Sequence, residues 1–194
     1  MRSLRHNKTS GFSLMEILVA SAILALVMGA LSSIYISGLD VWESGTNQAD
    51  LQAQARAALN YMVAELRNAT RTSSQNPSPN LSIPSVPNNK QIHFYLPGDK
   101  DDDGFLTDAN GDIEWVTNSQ IHYQYIPGQK MLRRSVGGNH RIFATDVSDV
   151  EFEDITVDPT LALNELRIIL TISKTTKKQK TAEITVSSIV ALRN

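Results

Sequence analysis

The sequence predicts an α+β protein in which one long N-terminal helix precedes a domain of antiparallel β-strands. A nearly uninterrupted apolar run covers residues 12–39, and this composition is typical of a helix that crosses a membrane. Apolar residues then recur at steps of three and four as far as Leu66, and from Gln91 onward they alternate with polar ones, so the period changes from that of a helix to that of a strand. A length of 194 residues allows one globular domain with an appendage.

The composition excludes several classes of function. A formal net charge of -2 gives no general attraction to nucleic acid, and the absence of cysteine excludes disulfides, thiolate metal ligands and cysteine nucleophiles. The four histidines have no metal-ligand spacing, and the chain contains no G-x-S-x-G motif, no H-E-x-x-H motif and no phosphate-binding glycine loop. We therefore expect that the protein is not an enzyme and requires no cofactor.

The first 39 residues predict a membrane anchor. Residues 1–11 form a basic leader without an acidic residue, and residues 17–36 provide the roughly twenty positions that a helix needs to cross a bilayer core of about 30 Å. Because the basic leader precedes the apolar run and Asp40 and Glu43 follow it, we expect the N-terminus to lie in the cytoplasm and the remaining chain to lie across the membrane. A cleaved secretory signal is the weaker alternative, since no Ala-x-Ala site follows the run.

An acidic residue, Glu16, interrupts the start of the apolar run. A carboxylate inside a membrane span costs about 2.5–3.5 kcal/mol at the bilayer centre and less near an end. No basic residue lies within residues 12–39, so a partner for Glu16 must come from outside this segment.

The residues around Glu16 resemble the N-terminus of a type IV prepilin or pseudopilin, with a short basic leader, Gly11, Phe12, and a glutamate four residues after the phenylalanine. The resemblance implies that a prepilin peptidase cleaves between Gly11 and Phe12 and methylates the new amine of Phe12. That amine would neutralise Glu16 of a neighbouring subunit, which satisfies the buried charge only in the assembled state. The chain departs from many major pilins because no proline lies midway along this helix, between residues 12 and 66.

Residues 40–70 are predicted to continue the same helix with an amphipathic surface. The apolar stripe consists of Leu51, Ala55, Ala58, Leu59, Met62, Val63 and Leu66. The resemblance implies that this stripe packs on the β-sheet of a pilin-like fold. Residues 71–90 are rich in proline, serine and asparagine and predict an exposed loop, which is either a solvated connector or a surface that faces a partner.

Residues 91–194 are predicted to form the β-rich domain. The predicted strands cover residues 91–96, 113–117, 121–126, 131–136, 150–155, 166–173 and 181–192. Pro127-Gly128 and residues 174–180 predict hairpins, and Gly137-Gly138 predicts a turn. We interpret the lysines of residues 174–180 as a solvated turn, because no aromatic residue is interleaved for base stacking.

Six aspartates within residues 99–112 form the second candidate site. Alternate aspartates before Gly104 match the opening of a calcium-binding loop, in which the glycine allows a sharp turn. The candidate ligands are the side chains of Asp99, Asp101, Asp103, Asp108, Asn110 and Asp112 and the carbonyl of Phe105. Asn110 replaces the bidentate glutamate of such loops, so a Ca²⁺ site and a metal-free acidic turn both remain open.

Together these features predict a minor pilin-like structural subunit. The pattern of the β-rich half resembles W-type minor pilins and J-type minor pseudopilins, which implies a bacterial inner-membrane protein with a periplasmic C-terminal domain. The expected partners are the prepilin peptidase, other pilin or pseudopilin subunits, and the assembly platform and ATPase. With them the chain would help to initiate a type IV pilus or a type II secretion pseudopilus. The alternative is a signal-anchored extracytoplasmic binding domain without a filament role.

Overall fold

The part of the chain that the structure describes contains one long helix and two antiparallel sheets. The computed structural model describes residues 13–69, 81–115, 120–176 and 181–192. Helix α1 extends over Leu14–Leu66 and contains 53 residues, which confirms the long N-terminal helix. The chain divides into two compact units, Met1–Gly45 and Thr46–Asn194.

The ends of α1 follow from local hydrogen bonding. The backbone amide of Ile17 donates to the carbonyl of Ser13 at 3.2 Å, which is the first bond of helical spacing. At the other end, the amides of Asn68 and Ala69 donate three residues back, to Glu65 and Leu66 at 3.0 Å, so the last turn tightens. No proline interrupts the residues between these ends.

The second half of α1 buries the predicted stripe. The buried residues of this helix are Leu51, Ala55, Ala58, Leu59, Met62 and Leu66, and Val63 is partly buried against the same core. Their spacing of three and four places them on one face of the helix. The amphipathic prediction is therefore confirmed.

The first sheet has four strands in the order β1-β2-β3-β4. Its strands are β1 (Gln91–Phe94), β2 (Ile121–Ile126), β3 (Met131–Val136) and β4 (Asn139–Ala144). A short 3-10 turn at Pro127–Gln129 joins β2 to β3. Gly137 and Gly138, with φ of 54° and 83°, join β3 to β4, because a two-residue hairpin of this type needs positive φ at both positions.

The second sheet has three strands in the order β5-β6-β7. Its strands are β5 (Val147–Glu153), β6 (Glu165–Thr175) and β7 (Thr181–Ala191). The inward residues of both sheets and the buried stripe of α1 form one hydrophobic cluster. Its largest fully buried side chains include Tyr123, Phe94, Phe152 and Met62, so the helix packs on the sheets as the α+β prediction requires.

Two strand predictions differ from the structure. Residues 113–115 make only isolated bridges, Thr107 with Ile113 and Pro97 with Trp115, instead of a regular strand, and residues 116–119 lie outside the described residues. β4 was not predicted, because Asn139, His140 and Arg141 are polar and only Ala144 of this strand is buried. An edge strand with so little burial lacks the alternation that identifies strands in a sequence.

Part of the predicted exposed loop is packed against the domain. Ser82 exchanges two backbone hydrogen bonds with His93, at 2.8 and 3.0 Å, and Leu81 and Ile83 pack against the core. Asn89 is 3% exposed, and its carbonyl accepts a bond from the amide of Phe152 at 3.0 Å. Leu81, Ile83 and Asn89 are thus more buried than predicted, whereas residues 85–88 are exposed as predicted, and residues 70–80 lie outside the described residues.

Candidate functional site

Glu16 lies in the first turn of α1 and is exposed. The side chains around it are Ser13, Met15, Val19, Ala20 and Ile23. Within the part of the chain that the structure describes, Glu16 forms no salt bridge. The predicted cleavage and methylation residues, Gly11 and Phe12, lie outside the described residues.

The N-terminal half of α1 is long and apolar enough to cross a membrane, and its apolar window is not buried inside the protein. The large apolar side chains exposed there include Leu18, Ile23, Leu24, Leu31 and Ile34. A contiguous exposed apolar surface of this size requires an apolar environment, which a bilayer or other helices supply. A carboxylate at the start of such a surface needs a cation to compensate its charge in an apolar environment.

The aspartate-rich segment forms two separate turns. In the first turn the carboxylate of Asp99 accepts bonds from the backbone amides of Asp103 at 3.2 Å and Gly104 at 2.7 Å. The amide of Phe105 donates to the side chain of Asp103 at 2.8 Å. Gly104 has φ of 88°, a left-handed conformation that glycine adopts without steric strain.

The second turn is centred on Asp108. One of its carboxylate oxygens accepts bonds from the backbone amides of Asn110 at 2.8 Å and Asp112 at 2.9 Å. These bonds, first that of Asp112 and then that of Asn110, hold the pKa of Asp108 below its ordinary value. Asp108 is therefore occupied in closing its own turn.

The group of carboxylates that could share a cation consists of Asp99, Asp101 and Glu114, whose ligand atoms lie within 4.8 Å of one another. Glu114 is 8% exposed and accepts a bond from the backbone amide of Lys100 at 2.7 Å. The pKa of Asp101 is raised, first by loss of hydration and then by the charges of Asp103 and Glu114. Three carboxylates with free lone pairs fit a hard divalent cation such as Ca²⁺.

Glu114 was missed in the sequence because it lies beyond the loop pattern. Its position is set by backbone bonds, in which the amide of Glu114 donates to Leu106 at 2.9 Å and its carbonyl accepts from Gly98 at 3.1 Å. Of the predicted ligands, the structure brings Asp99 and Asp101 into this group, while Asp108 and Asn110 belong to the second turn. A glutamate fifteen residues after Asp99 carries no recognisable spacing signal.

Three histidines that are scattered in the sequence share one face of the first sheet. His93 pairs with His122, His122 with Ser135, and Ser135 with His140 across successive strands. The rings of His93 and His122 are stacked, with centroids 3.9 Å apart and an angle of 13° between their planes. Loss of hydration and then the charges of His93 and Arg133 lower the pKa of His122 to about 4.

This histidine face lacks a catalytic arrangement. Ser135 Oγ and His140 Nδ1 lie 2.8 Å apart, but both are at the surface and no carboxylate orients His140 within the described residues. A serine nucleophile needs a base that a third group holds in place.

A charged network joins α1 to the first sheet. The carboxylate of Glu65 accepts bonds from Tyr123 Oη at 2.5 Å, Arg134 Nε at 3.0 Å and Arg134 Nη2 at 2.7 Å. The pKa of Tyr123 is raised, mainly by burial and then by its bond to Glu65. The pKa of Arg134 is raised by its hydrogen bonds to Glu65. No spacing pattern in the sequence connects residues this far apart.

Comparison with known proteins gives one result that bears on function. No curated protein matches the chain, and no solved structure matches it. The family model described as the prokaryotic N-terminal methylation motif matches residues 6–32, which include Gly11, Phe12 and Glu16. The chain therefore carries, at the start of its apolar helix, the signature of type IV prepilins and pseudopilins.

Proposed function

We propose that the chain is a minor pilin-like subunit of a type IV pilus or of a type II secretion pseudopilus. The observation that carries this proposal is the methylation motif at residues 6–32, which leads directly into the continuous helix Leu14–Leu66. This combination suits a structural subunit that is anchored in a membrane and processed by a prepilin peptidase. The size and β-rich pattern of the second unit support a minor role at the start of a filament.

Processing would occur at the Gly11–Phe12 bond, on the cytoplasmic side of the inner membrane. Cleavage removes the basic leader and leaves an α-amino group on Phe12, which the same peptidase would methylate. Gly11 suits this bond because it presents no side chain that blocks approach to the backbone. The precursor thus loses its leader charges and retains one cation at the end of the apolar helix.

Assembly would then depend on Glu16. Its carboxylate is exposed and has no salt bridge within the described residues, and it lies at the start of an apolar surface. The amine of Phe12 from a neighbouring subunit would supply the missing cation, so the charge is compensated only in the assembly. The assembly platform and ATPase would extract such subunits from the membrane.

Peptide mass spectrometry of the mature N-terminus tests the proposal in sheared surface filaments and in inner membranes of the native host. A methylated Phe12 peptide in the sheared fraction indicates a type IV pilin, and the same peptide confined to the membrane indicates a pseudopilin. An intact leader in both fractions would refute the proposal and return the chain to a signal-anchored binding domain.

The role of Glu16 is tested by Glu16→Val, with Ser21→Val as a matched control on the same helix. Ser21 carries no charge, and its hydroxyl donates to the carbonyl of Leu18 at 2.9 Å, so its replacement leaves the charge balance unchanged. We expect both variants to be inserted and trimmed. Filament incorporation of Glu16→Val should fall by about tenfold or more, because the Phe12 amine of the neighbouring subunit then has no carboxylate partner, and an uncompensated charge in this environment costs about 2.5–3.5 kcal/mol or less. Normal incorporation of Glu16→Val would contradict the proposed pairing.

We also propose that Asp99, Asp101 and Glu114 bind Ca²⁺. The support is the convergence of their carboxylates within 4.8 Å and the preference of Ca²⁺ for carboxylate oxygens. Calorimetric titration of the full-length protein in detergent micelles tests this, with Glu114→Gln as the ligand variant and Asp112→Asn as the matched control. We expect Glu114→Gln to lose Ca²⁺ binding and Asp112→Asn to retain it. The proposal would be overturned if the unsubstituted protein showed neither binding heat nor a change in melting temperature at millimolar Ca²⁺.

A further inference from the structure

Trp42 lies just beyond the C-terminal end of the apolar run of α1. Its side chain is 73% exposed, as is that of the neighbouring Val41, while Asp40 and Glu43 are acidic. Such a mixture of exposed apolar and charged side chains suits the interfacial region of a bilayer, where headgroups, water and the ends of acyl chains meet. Tryptophan is enriched there because its large ring is apolar and its indole N–H needs an acceptor.

Two carboxylates limit the depth of the helix in a bilayer. No charged residue lies between Glu16 and Asp40, and α1 is continuous over this segment. At about 1.5 Å per residue the two positions are about 36 Å apart along the axis, and a typical tilt of about 20° leaves about 34 Å along the bilayer normal. The hydrocarbon core is about 30 Å thick, so both carboxylates lie outside it only when the span is nearly centred.

The centred span places Trp42 at the outer interface. Trp42 and Glu16 are about 39 Å apart along the helix axis, close to the thickness of about 40–45 Å that includes both interfacial regions. A shift of the helix by one turn, about 5.4 Å, moves either Asp40 or Glu16 into the hydrocarbon. The continuity of α1 therefore favours one depth in the bilayer.

We propose that Trp42 binds the headgroup region on the outer side of a phospholipid bilayer and thereby holds Glu16 at the inner lipid–water interface. Headgroup and water oxygens accept the indole N–H, and the ring packs on the ends of the acyl chains. The carboxylate of Glu16 is then hydrated while the subunit is stored in the membrane. It loses this hydration only when the helix moves outward by about a turn, and from that point it needs a cation.

This inference rests on the membrane anchoring of the proposed function and adds the depth of the anchor. The depth depends neither on cleavage at Gly11–Phe12 nor on filament assembly, so it is expected in the uncleaved precursor as well. An intact leader in the native host would therefore refute the pilin role without changing the expected depth. Conversely, a different depth would leave the processing of the leader untouched.

Fluorescence quenching tests the position of Trp42. The full-length protein is reconstituted into phosphatidylcholine–phosphatidylglycerol vesicles in which the acyl chains carry bromine either near the headgroup or near the bilayer centre. The signal of Trp42 is the part that is lost in Trp42→Phe, since Trp115 is 5% exposed and remains in both proteins. We expect the shallow bromines to quench Trp42 about twofold more than the deep bromines.

A displaced tryptophan is the matched control. Leu39→Trp in the Trp42→Phe background places the ring about 4.5 Å nearer the bilayer centre on the same helix. Leu39 is 51% exposed, so the larger ring does not disturb a packed core. The ratio of shallow to deep quenching is expected to fall below that of Trp42.

Thiol labelling tests the position of Glu16 without removing its carboxylate, because the chain has no cysteine of its own. Met15→Cys lies next to Glu16, and Ala25→Cys lies about 15 Å further along the span; both positions are exposed on α1. A membrane-impermeant maleimide is added to inside-out membrane vesicles from cells that express no other filament subunit. We expect Met15→Cys to be labelled about tenfold faster than Ala25→Cys.

Three results would overturn the proposal. Stronger quenching of Trp42 by the deep bromines than by the shallow ones would place the ring in the hydrocarbon. Absence of quenching by both lipids would show that Trp42 contacts protein instead of the bilayer. Equal labelling of Met15→Cys and Ala25→Cys would show that Glu16 does not lie at the inner interface of the stored subunit.

Discussion

The network of Glu65, Tyr123 and Arg134 is expected to hold α1 on the first sheet, and Glu65→Leu is the perturbation that tests it. Glu65 accepts three hydrogen bonds, of 2.5, 3.0 and 2.7 Å. The side chains of Glu65 and Arg134 are 13% and 21% exposed. Breaking the pair leaves a guanidinium and a phenol without their partner in a largely dry site.

The magnitude follows from this burial. Breaking a fully buried ion pair by removing one partner costs about 3–5 kcal/mol, and the residual exposure of both side chains lowers this to about 3 kcal/mol. For a chain of this size the loss corresponds to a decrease in melting temperature of about 6–12 °C. Tyr123→Phe removes only one of the three bonds, so we expect it to cost about 1 kcal/mol.

The assay is chemical unfolding of the full-length protein in detergent micelles, followed by tryptophan fluorescence. Trp115 is 5% exposed and Trp42 is 73% exposed, so a Trp42→Phe background leaves one buried probe in the second unit. The control is the double variant Glu65→Leu, Arg134→Met, which removes both charges and should cost clearly less than the sum of the single variants. A decrease in the free energy of unfolding below about 1 kcal/mol for Glu65→Leu would refute the reasoning. A decrease in the double variant that equals the sum of the decreases in the two single variants would refute it as well.

Two further predictions concern charges outside the apolar helix. The pKa of His122 is lowered to about 4 from an ordinary value of 6.5, so the unfolded chain binds more protons between these values and stability falls as the pH decreases through this window. His122→Gln should flatten the stability–pH curve there by about 1 kcal/mol, allowing for partial exposure, and an unchanged slope would contradict the assignment. Burial acts to lower the pKa of Lys90, but its bonds to Asp149 and Glu151 raise it overall. Because the Lys90 side chain is 31% exposed, Lys90→Met should lower the free energy of unfolding by less than about 1 kcal/mol in the same assay. A decrease as large as that of Glu65→Leu would contradict this prediction.

The organisation of the chain was largely predictable because its main signals are local. The helix from Leu14 to Leu66, its buried stripe, and the bounds of β2 and β3 agree with the sequence pattern. β4 was missed because most of its residues are exposed. Residues 113–117 were predicted as a strand because of their β-forming residues, but the turns of the acidic segment leave only isolated bridges at Ile113 and Trp115.

The processing motif can be recognised from consecutive residues without any coordinates. A leader, a Gly11–Phe12 bond, Glu16 and an apolar run are defined by consecutive residues, and the match at residues 6–32 rests on those residues alone. The charge conflict at Glu16 is also visible without coordinates, since it requires only a carboxylate within an apolar run.

The contacts between distant residues become visible only in the folded chain. It brings Glu114 to Asp99 and Asp101, Glu65 to Tyr123 and Arg134, and three histidines to one face of a sheet. It also shows that β7 is the open edge of its sheet. Such contacts depend on strand order and register, and these are fixed by the packing of the whole core, whereas a sequence pattern specifies only the faces of each separate element.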